Sequence, residues 1–159
     1  MKNNAIAGRC PPHALALLAL SMMLSFQSAQ AAPAGGAVAA GAAGITANGG
    51  RTTITQTTSS AVINWHSFGI RAGESVHFQQ PASSSVTLNR VLGPDPSAIF
   101  GSLSANGRIF LVNPGGVLFG AGASVNVGGL VASTLNISDT DFLGGRYSFT
   151  GSSRGTVVN

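Results

Sequence analysis

Charged, aromatic and sulfur-containing side chains are all scarce in this sequence. Of its 159 residues, 8% are charged and 6% are aromatic, and Cys10 is the single cysteine. A chain with one cysteine cannot close an internal disulfide, so packing and hydrogen bonds must hold any fold that it adopts. The arginines are isolated and form neither a cluster nor a stripe. The composition therefore excludes the electrostatic footprint of a nucleic-acid-binding protein.

Residues suited to catalysis or metal binding are also few. After the first thirty residues the histidines are His66 and His77, and neither has a His, Cys, Asp or Glu two or four residues away. We therefore expect no metal site. Asp139 and Asp141 are the one carboxylate pair suited to acid–base chemistry on a sugar, but their Ser-Asp-Thr-Asp context favours a turn with Asx hydrogen bonds. No serine stands in a nucleophile-elbow motif, so we do not expect an enzyme.

The glycine-rich run of residues 115–122 does not match a nucleotide-binding loop. It lacks the Lys-Ser/Thr pair of a P-loop. Gly120 and Gly122 are followed by Val125, where a dinucleotide-binding fingerprint requires a third glycine. The sequence therefore predicts no cofactor.

The first 31 residues have the organisation of a secretory signal peptide. Lys2 and Arg9 precede an apolar run at residues 14–26, and Ala29 and Ala31 frame an A-x-A cleavage site. The apolar run is too short for a membrane-spanning helix, which needs about 20 apolar residues. We predict that residues 1–31 are a signal peptide that is removed during export.

Removal of this segment leaves a nearly neutral chain. Lys2 and Arg9 are lost with it, so six of the eight basic residues remain against four acidic residues, a net charge of +2. Residues 32–46 are almost entirely Ala and Gly without periodicity, which predicts a flexible leader, with order beginning near Ile45. We assign residues 47–159 to one folded domain.

The pattern of this domain predicts an all-β fold. No stretch has a convincing helical period over ten residues, and only residues 96–103 are suited to a helical turn. Short strands with close corners favour a solenoid, but the chain shows no fixed repeat length, so the pattern leaves a β-helix and a β-sandwich open. Strands are expected at residues 52–58, 61–65, 75–78, 85–91, 99–103, 108–112, 117–119, 124–127, 130–132, 135–137, 146–149 and 156–158.

A tight turn stands at the centre of the stretch from residue 108 to residue 127. Asn113 suits the first position of a turn, and Pro114 fixes φ near −65° at the second. Gly115 permits a positive φ at the third position, and Gly116 completes the turn. A strand-like run resumes at once, so the unit is a corner between two short strands.

Between residues 62 and 138, a set of short motifs follows the order of one known family. The positions are Asn64, Trp65, Phe68, Val76, Phe78, Leu88, Asn89, Arg90, Val91, Gly101, Leu103, Asn106, Gly107, Asn113, Pro114, Gly129, Leu130, Val131, Ala132, Ser133 and Thr134. This run strongly resembles the amino-terminal secretion domain of two-partner-secretion exoproteins, the filamentous-haemagglutinin-like adhesins of Gram-negative bacteria. The resemblance covers most of the chain after the signal.

The resemblance implies a right-handed parallel β-helix and a secretion-targeting domain. Such a domain is exported by the Sec machinery and recognised in the periplasm by the periplasmic repeats of a partner outer-membrane β-barrel transporter. The exoprotein is then expected at the surface of a Gram-negative cell or released from it. The passenger is expected to be an adhesin or haemagglutinin with a role in virulence and a host-cell or glycan receptor. Because the chain ends within what resembles another coil, we expect an incomplete β-helix.

The central motif departs from the family pattern. The family usually reads Asn-Pro-Asn-Gly, and this chain has Gly115 in the third place. Glycine can adopt the turn but supplies no side-chain amide, so we expect the motif to act through the shape of the turn. Trp65 is expected to be an aromatic plug at one end of the core, with stacking on a ligand as the alternative. The alternative function is a secreted polysaccharide-active or glycan-binding β-helix protein that uses Asp139 and Asp141.

Overall fold

The computed structural model describes residues 32–159. The predicted signal peptide, with Cys10 and the cleavage-site residues Ala29 and Ala31, lies outside the described residues. Within residues 32–159, no helix is long and apolar enough to cross a membrane.

The described chain forms three β-sheets and one short helix. Sheet 1 has the strand order β1-β4-β6-β9-β12, sheet 2 has the order β2-β3-β5-β8-β11, and sheet 3 has the order β7-β10-β13. The elements are β1 Ala37–Ala40, β2 Ala43–Asn48, β3 Arg51–Gln56, β4 Ser60–Trp65, β5 Ser75–Gln79, β6 Val86–Val91, β7 Ser97–Ile99, β8 Ser102–Ala105, β9 Arg108–Val112, β10 Val117–Phe119, β11 Ser124–Asn126, β12 Gly129–Ser133, α1 Asp139–Leu143 and β13 Val157–Val158.

The strands within each sheet come from successive turns of the chain, and nearly all of them are parallel. The antiparallel pairs in the described part are β1 with β4 and β2 with β3, at the same end of the stack. The fold is a parallel β-helix of about three turns, which confirms the predicted all-β β-helix and excludes the sandwich.

The coils differ in length, although their strands stay in register. In sheet 1, Ser60 pairs with Val86, Val86 with Arg108 and Arg108 with Gly129, so successive coils contain 26, 22 and 21 residues. The extra residues lie in the corners, where added length does not disturb the ladder. This variation explains why the sequence shows no fixed repeat although the fold is a solenoid.

The main core lies inside the coil, between the inner faces of the sheets. Ile54 and Phe78 of sheet 2 are register partners, and they lie in the same apolar cluster as Ile63, Trp65 and Leu111 of sheet 1. Because side chains alternate across a strand, the inward face of each of the central strands contributes to this cluster. Burial of these side chains supplies the apolar stabilisation that a chain without disulfides requires.

A second apolar cluster lies on the outer face of sheet 1. Val62, Leu88 and Phe110 point outward there and are buried beneath residues 134–150, which we call the strap. Phe142 of α1 packs edge-to-face on Phe110, with ring centroids 5.2 Å apart. The strap interrupts the solenoid between β12 and β13, so sheet 1 is covered on both faces.

The amino-terminal segment differs from the sequence prediction. We expected a flexible leader over residues 32–46, but the structure has β1 and β2 there, and the assigned boundary at residue 47 lies inside β2. These strands add main-chain hydrogen bonds to the first coil and need little side-chain bulk. A Cβ at Gly36 would lie 2.5 Å from the Trp65 ring, so small residues permit this approach. The absence of a hydrophobic pattern was therefore misleading.

Three of the predicted strands are wrong. The strand expected at residues 99–103 is two strands, β7 and β8, because the chain turns at Phe100 and Gly101. The strands expected at residues 135–137 and 146–149 belong to the strap, where Asn136 and Thr150 form a single antiparallel bridge. Their apolar residues pack on the outside of sheet 1 and do not continue a ladder.

The Asx turn expected at Asp139 and Asp141 is instead the first turn of α1. Ser138 is the N-cap residue, and its Oγ accepts a hydrogen bond from Asp141 N at 3.1 Å. Ser138 Oγ also donates to Asp141 Oδ2 at 2.7 Å. The spacing Ser-x-x-Asp is the capping-box pattern, and it was the signal available in the sequence.

Candidate functional site

The turn at the centre of the sequence motif has the features of a type I turn. Asn113 O accepts a hydrogen bond from Gly116 N at 3.0 Å, and Asn113 Oδ1 accepts one from Gly115 N at 2.8 Å. The positive φ is at Gly116, where it is 113°, so the expectation of a positive φ at Gly115 is wrong. Type I turns place Asn first, Pro second and Gly fourth, which is the order seen here.

The Asn113 side chain joins this corner to the preceding coil. Asn113 is fully buried, and its Nδ2 donates to Asp95 O at 3.0 Å and to Ser97 Oγ at 2.9 Å. Asn113 N donates to Ser133 O of the following coil at 2.9 Å. All of its side-chain polar atoms therefore have partners, as a buried amide requires. Asn113 contacts three levels of the stack and does not reach solvent.

Gly115 and Pro114 are exposed, but both lie tightly between neighbouring coils. A Cβ at Gly115 would lie 2.7 Å from Pro94 O and 3.1 Å from Asn113 Oδ1. On the other side, Ser153 Oγ donates to Pro114 O at 2.8 Å. A larger residue at position 115 would therefore displace the corner of the preceding coil at Pro94. The crowding gives a physical reason for glycine where the family usually has asparagine.

Trp65, Phe68 and Asn89 form one buried unit inside the coil. Trp65 is 1% exposed, and its Nε1 donates to Asn89 Oδ1 at 3.0 Å. The Phe68 ring meets the Trp65 ring edge-on, with centroids 5.5 Å apart. Asn89 Nδ2 donates onward to Phe110 O at 3.4 Å. The ring of Trp65 is thus enclosed and hydrogen-bonded, and it presents no face for stacking on a ligand.

Asn64 and Arg90 are paired on the outer face of sheet 1. They are register partners in β4 and β6, and Arg90 Nη1 donates to Asn64 Oδ1 at 3.2 Å. Arg90 also forms an ion pair with Asp139, with Nη2 and Oδ1 2.7 Å apart. The sequence motif therefore contains a residue that binds the strap.

Asn106 and Gly107 form the corner between sheets 2 and 1. Asn106 Oδ1 accepts from Gln80 N at 2.7 Å, and Asn106 Nδ2 donates to Gln80 O at 2.8 Å. Gly107 N donates to Gln80 Oε1 at 2.8 Å, and a Cβ at Gly107 would lie 2.5 Å from that oxygen. The pair thus replaces strand-to-strand hydrogen bonds where the chain turns between sheets.

A buried ladder of glutamines at this corner was missed by the sequence reasoning. Gln80 Nε2 donates to Thr87 Oγ1 at 2.9 Å, and Thr87 Oγ1 donates to Gln56 Oε1. Gln56 Nε2 donates to Val86 O at 3.2 Å. Gln56 is the last residue of β3 and Gln80 directly follows β5, so a glutamine where a predicted strand ends is the signal that the sequence offers.

Among the motif residues near the end of sheet 1, Gly129 and Ser133 lie on its last strand, β12, and Thr134 directly follows it. Gly129 is the register partner of Arg108. Ser133 Oγ accepts a hydrogen bond from Leu135 N at 3.0 Å, which sets the direction in which the chain leaves β12. Thr134 is half-buried at the start of the strap. This part of the motif shapes the transition from coil to strap.

Both members of the carboxylate pair are engaged in ion pairs. Asp139 pairs with Arg90, and Asp141 pairs with Arg146 at 2.9 Å. The hydroxyl of Ser138 and then the guanidinium of Arg146 lower the pKa of Asp141, whereas a general acid needs a raised one. His77 Nδ1 lies 2.9 Å from Ser104 Oγ, and His66 is exposed. No cluster of three metal-ligating side chains occurs within residues 32–159.

These features define a class of domain, a parallel β-helix whose motif residues hold the corners and the strap in place. The family model of the TPS secretion domain matches residues 29–159. The chain belongs to this family, which confirms the resemblance seen in the sequence. Domains of this family are non-enzymatic and work with an outer-membrane transporter. The exoproteins that carry them are secreted through the outer membrane of Gram-negative bacteria.

Three similar proteins come from Haemophilus influenzae. A heme/hemopexin-binding protein of strain Rd is 42% identical over 113 residues, which is 71% of this chain and 12% of that protein. A second heme/hemopexin-binding protein is 42% identical over 98 residues, 62% of this chain and 11% of that one. The crystal structure of the HMW1 secretion domain is 34% identical with a TM-score of 0.75, and the match covers 80% of this chain and 35% of that chain. The chain thus spans about an eighth of the length of the curated relatives that it matches.

Proposed function

We propose that this chain is the secretion-targeting domain of a large exoprotein, recognised in the periplasm by the periplasmic repeats of its partner transporter. Residues 1–31 would direct Sec-dependent export and be removed after Ala31. The observation that carries the proposal is the family match over residues 29–159, which is the whole of the chain beyond this signal. The passenger that such a domain delivers would be an adhesin or haemagglutinin with a receptor on a host cell or glycan.

The contacts of Asn113 support a shape-based role for the motif turn. Its side chain is fully buried and makes its hydrogen bonds within the stack, so it is not available to a partner. Pro114 and Gly115 are exposed at the corner, but their backbone position is set by the coils on either side. The transporter would therefore recognise a surface whose shape depends on Asn113. The Asn113 side chain would support that surface without contacting the transporter.

The contacts of the two carboxylates in the strap do not favour the alternative of a polysaccharide-active protein. Asp139 and Asp141 each hold an arginine, and they lie on a short helix packed against a sheet. Two carboxylates that act on a glycosidic bond must face a shared cleft at a suitable separation. A secreted targeting domain accounts for both residues without catalysis.

The test is secretion of a reporter fused after Asn159 in a Gram-negative host. We expect the reporter in the medium when the cognate transporter is present and inside the cell when the transporter is omitted. Asn113→Ala should reduce release strongly, and Asn126→Ala, an exposed asparagine at the end of β11, should not. Release without the transporter would overturn the proposed route, and full release of Asn113→Ala would overturn the role of the turn.

A further inference from the structure

The outer face of sheet 1 carries an apolar column that crosses four coils. Val62, Leu88, Phe110 and Val131 are consecutive register partners in β4, β6, β9 and β12. Neighbouring strands lie about 4.8 Å apart, so the column is a continuous apolar stripe. The first three of these residues are 0%, 0% and 4% exposed. Nothing in the coil itself covers this stripe.

The strap covers the column with its own apolar residues. Ile137 is fully buried and Phe142 is 1% exposed. The rings of Phe142 and Tyr147 both contact Phe110, with centroid distances of 5.2 Å and 4.7 Å. Ile137, Phe142 and Phe149 belong to the same cluster as Val62 of the first coil and Val131 of the last. One continuous segment therefore bridges all four coils.

Arg90 is the polar anchor of the strap. Its guanidinium is held by Asn136 Oδ1 at 2.9 Å, Ile137 O at 2.6 Å and Asp139 Oδ1 at 2.7 Å, all of which belong to the strap. The Arg90 side chain is 12% exposed. Because a guanidinium stays charged, it needs these acceptors once the strap has removed it from water. The apolar cover and the anchor must therefore form together.

A solenoid without such a segment is a one-dimensional array. Each coil contacts only its neighbours, and its stability is close to a sum of nearest-neighbour terms. The strap contacts coils that do not touch one another. It therefore couples the stabilities of non-neighbouring coils, which stacking alone does not do. Its binding surface exists only after β4, β6, β9 and β12 have stacked in register.

We propose that the strap is a latch that closes when the coils of sheet 1 are complete, and that Arg90 is the positioning residue that holds it closed. Closure makes the array cooperative, because the first and last coils are then joined through one segment. With the strap open, the apolar column faces water and the coils of sheet 1 open independently. The inference concerns folding and does not depend on the proposed route of secretion.

Hydrogen exchange on the purified protein tests the latch. The backbone hydrogen bonds between Asn136 and Thr150, at 3.1 Å and 2.8 Å, join the two ends of the strap, and Asn136 Oδ1 also accepts a hydrogen bond from Arg90 of sheet 1. Exchange of these two amides therefore reports whether the strap keeps its closed form when Arg90 is changed. Arg90→Gln should speed their exchange at least about tenfold, the effect of losing charge-assisted hydrogen bonds. The amides of β5 in sheet 2 should change by less than about twofold. Arg146→Gln is the matched control, because its ion pair with Asp141 lies within the strap.

A second pair of variants tests the apolar side of the latch. Phe142 is 1% exposed and its neighbour Leu143 is 45% exposed, so Phe142→Ala should open the strap and Leu143→Ala should not. Opening should also bring an apolar fluorescent dye onto sheet 1. Unchanged strap exchange in both Arg90→Gln and Phe142→Ala would overturn the latch. Equal acceleration in β5 and the strap in both variants would also overturn it, because that pattern indicates general destabilisation.

Discussion

Sheets 1 and 2 have the same strand arrangement, but their outer faces differ in polarity and in cover. Each has five strands, and each begins with an antiparallel strand followed by parallel ones. On sheet 1, Leu88 and Phe110 lie in the outer column beneath the strap. On sheet 2, the corresponding column contains Thr53, His77 and Ser104, and no described segment covers it. The two sheets therefore share an apolar inner face, and they differ in whether a further segment packs on the outer face.

The difference shows what decides whether a β-helix face needs a cover. In β3 the sequence RTTITQ alternates between exposed or half-buried residues and buried ones, which is the pattern of a face open to water. In β6 the sequence VTLNRV is buried at all positions but one, because both of its faces are packed. An outer column of apolar residues thus requires a further segment, and the strap supplies it in sheet 1.

The largest expected effect comes from placing the same charge on the two outer faces. Leu88→Glu would bury a carboxylate without a partner beneath the strap and should destabilise the domain by more than about 4 kcal/mol. Gln79→Glu lies in the same coil on the exposed face of sheet 2 and should change stability by less than about 0.5 kcal/mol. Urea unfolding followed by circular dichroism measures both. Comparable losses of unfolding free energy in the two variants would contradict the difference proposed between the outer faces.

A smaller effect is expected where strands of the two sheets end. Asn113→Ala, just after β9 of sheet 1, removes the side-chain hydrogen bonds to Asp95 O, Ser97 Oγ and Gly115 N. It should cost about 2–3 kcal/mol, because buried partners are left unsatisfied. Asn126→Ala, at the exposed end of β11 in sheet 2, should cost less than about 0.5 kcal/mol. Thermal unfolding measures both variants. If Asn113→Ala were as stable as the wild type, the hydrogen bonds of Asn113 would not stabilise the corner.

The sequence allowed prediction of the coil interior and of most corners. Alternation predicted the strand at residues 52–58, which overlaps β3, and Asn-Pro-Gly-Gly predicted the corner after β9, because these signals depend on a strand and its own turn. The family resemblance supplied the stacking of the coils. The pairing of Trp65 with Asn89, and of Asn64 with Arg90, was not visible, since it joins residues one coil apart and the coils differ in length.

The elements that pack outside the coil were predicted least well. Residues 32–46 lack an apolar pattern because β1 and β2 are held by main-chain bonds to strands already in place. Two strands were predicted in the strap, whereas Phe142 and Phe149 of this segment pack across Phe110. Whether an apolar residue covers a sheet or extends it depends on tertiary neighbours, which a single sequence does not display.

The smallest expected effect is a pH dependence that arises within the strap on the outer face of sheet 1. The hydrogen bond from Ser138, followed by Arg146, lowers the pKa of Asp141 from its ordinary value of 3.8. The charged form is therefore favoured in the folded state. Its contribution is present above about pH 4, the usual unfolded value, and is lost as the pH falls through the lower folded pKa.

Asp141→Asn isolates this contribution. The variant should be slightly less stable than the wild type at pH 6, and the difference should shrink as the pH falls below the ordinary value of 3.8. Ser138→Ala, which removes the first cause of the lowered pKa, should flatten the same part of the pH profile. Thr55→Ala on the exposed face of sheet 2 should run parallel to the wild type throughout. A difference between Asp141→Asn and wild type that does not shrink as the pH falls would show that the loss is one of packing, because the contribution of the carboxylate weakens once the pH falls through its folded pKa.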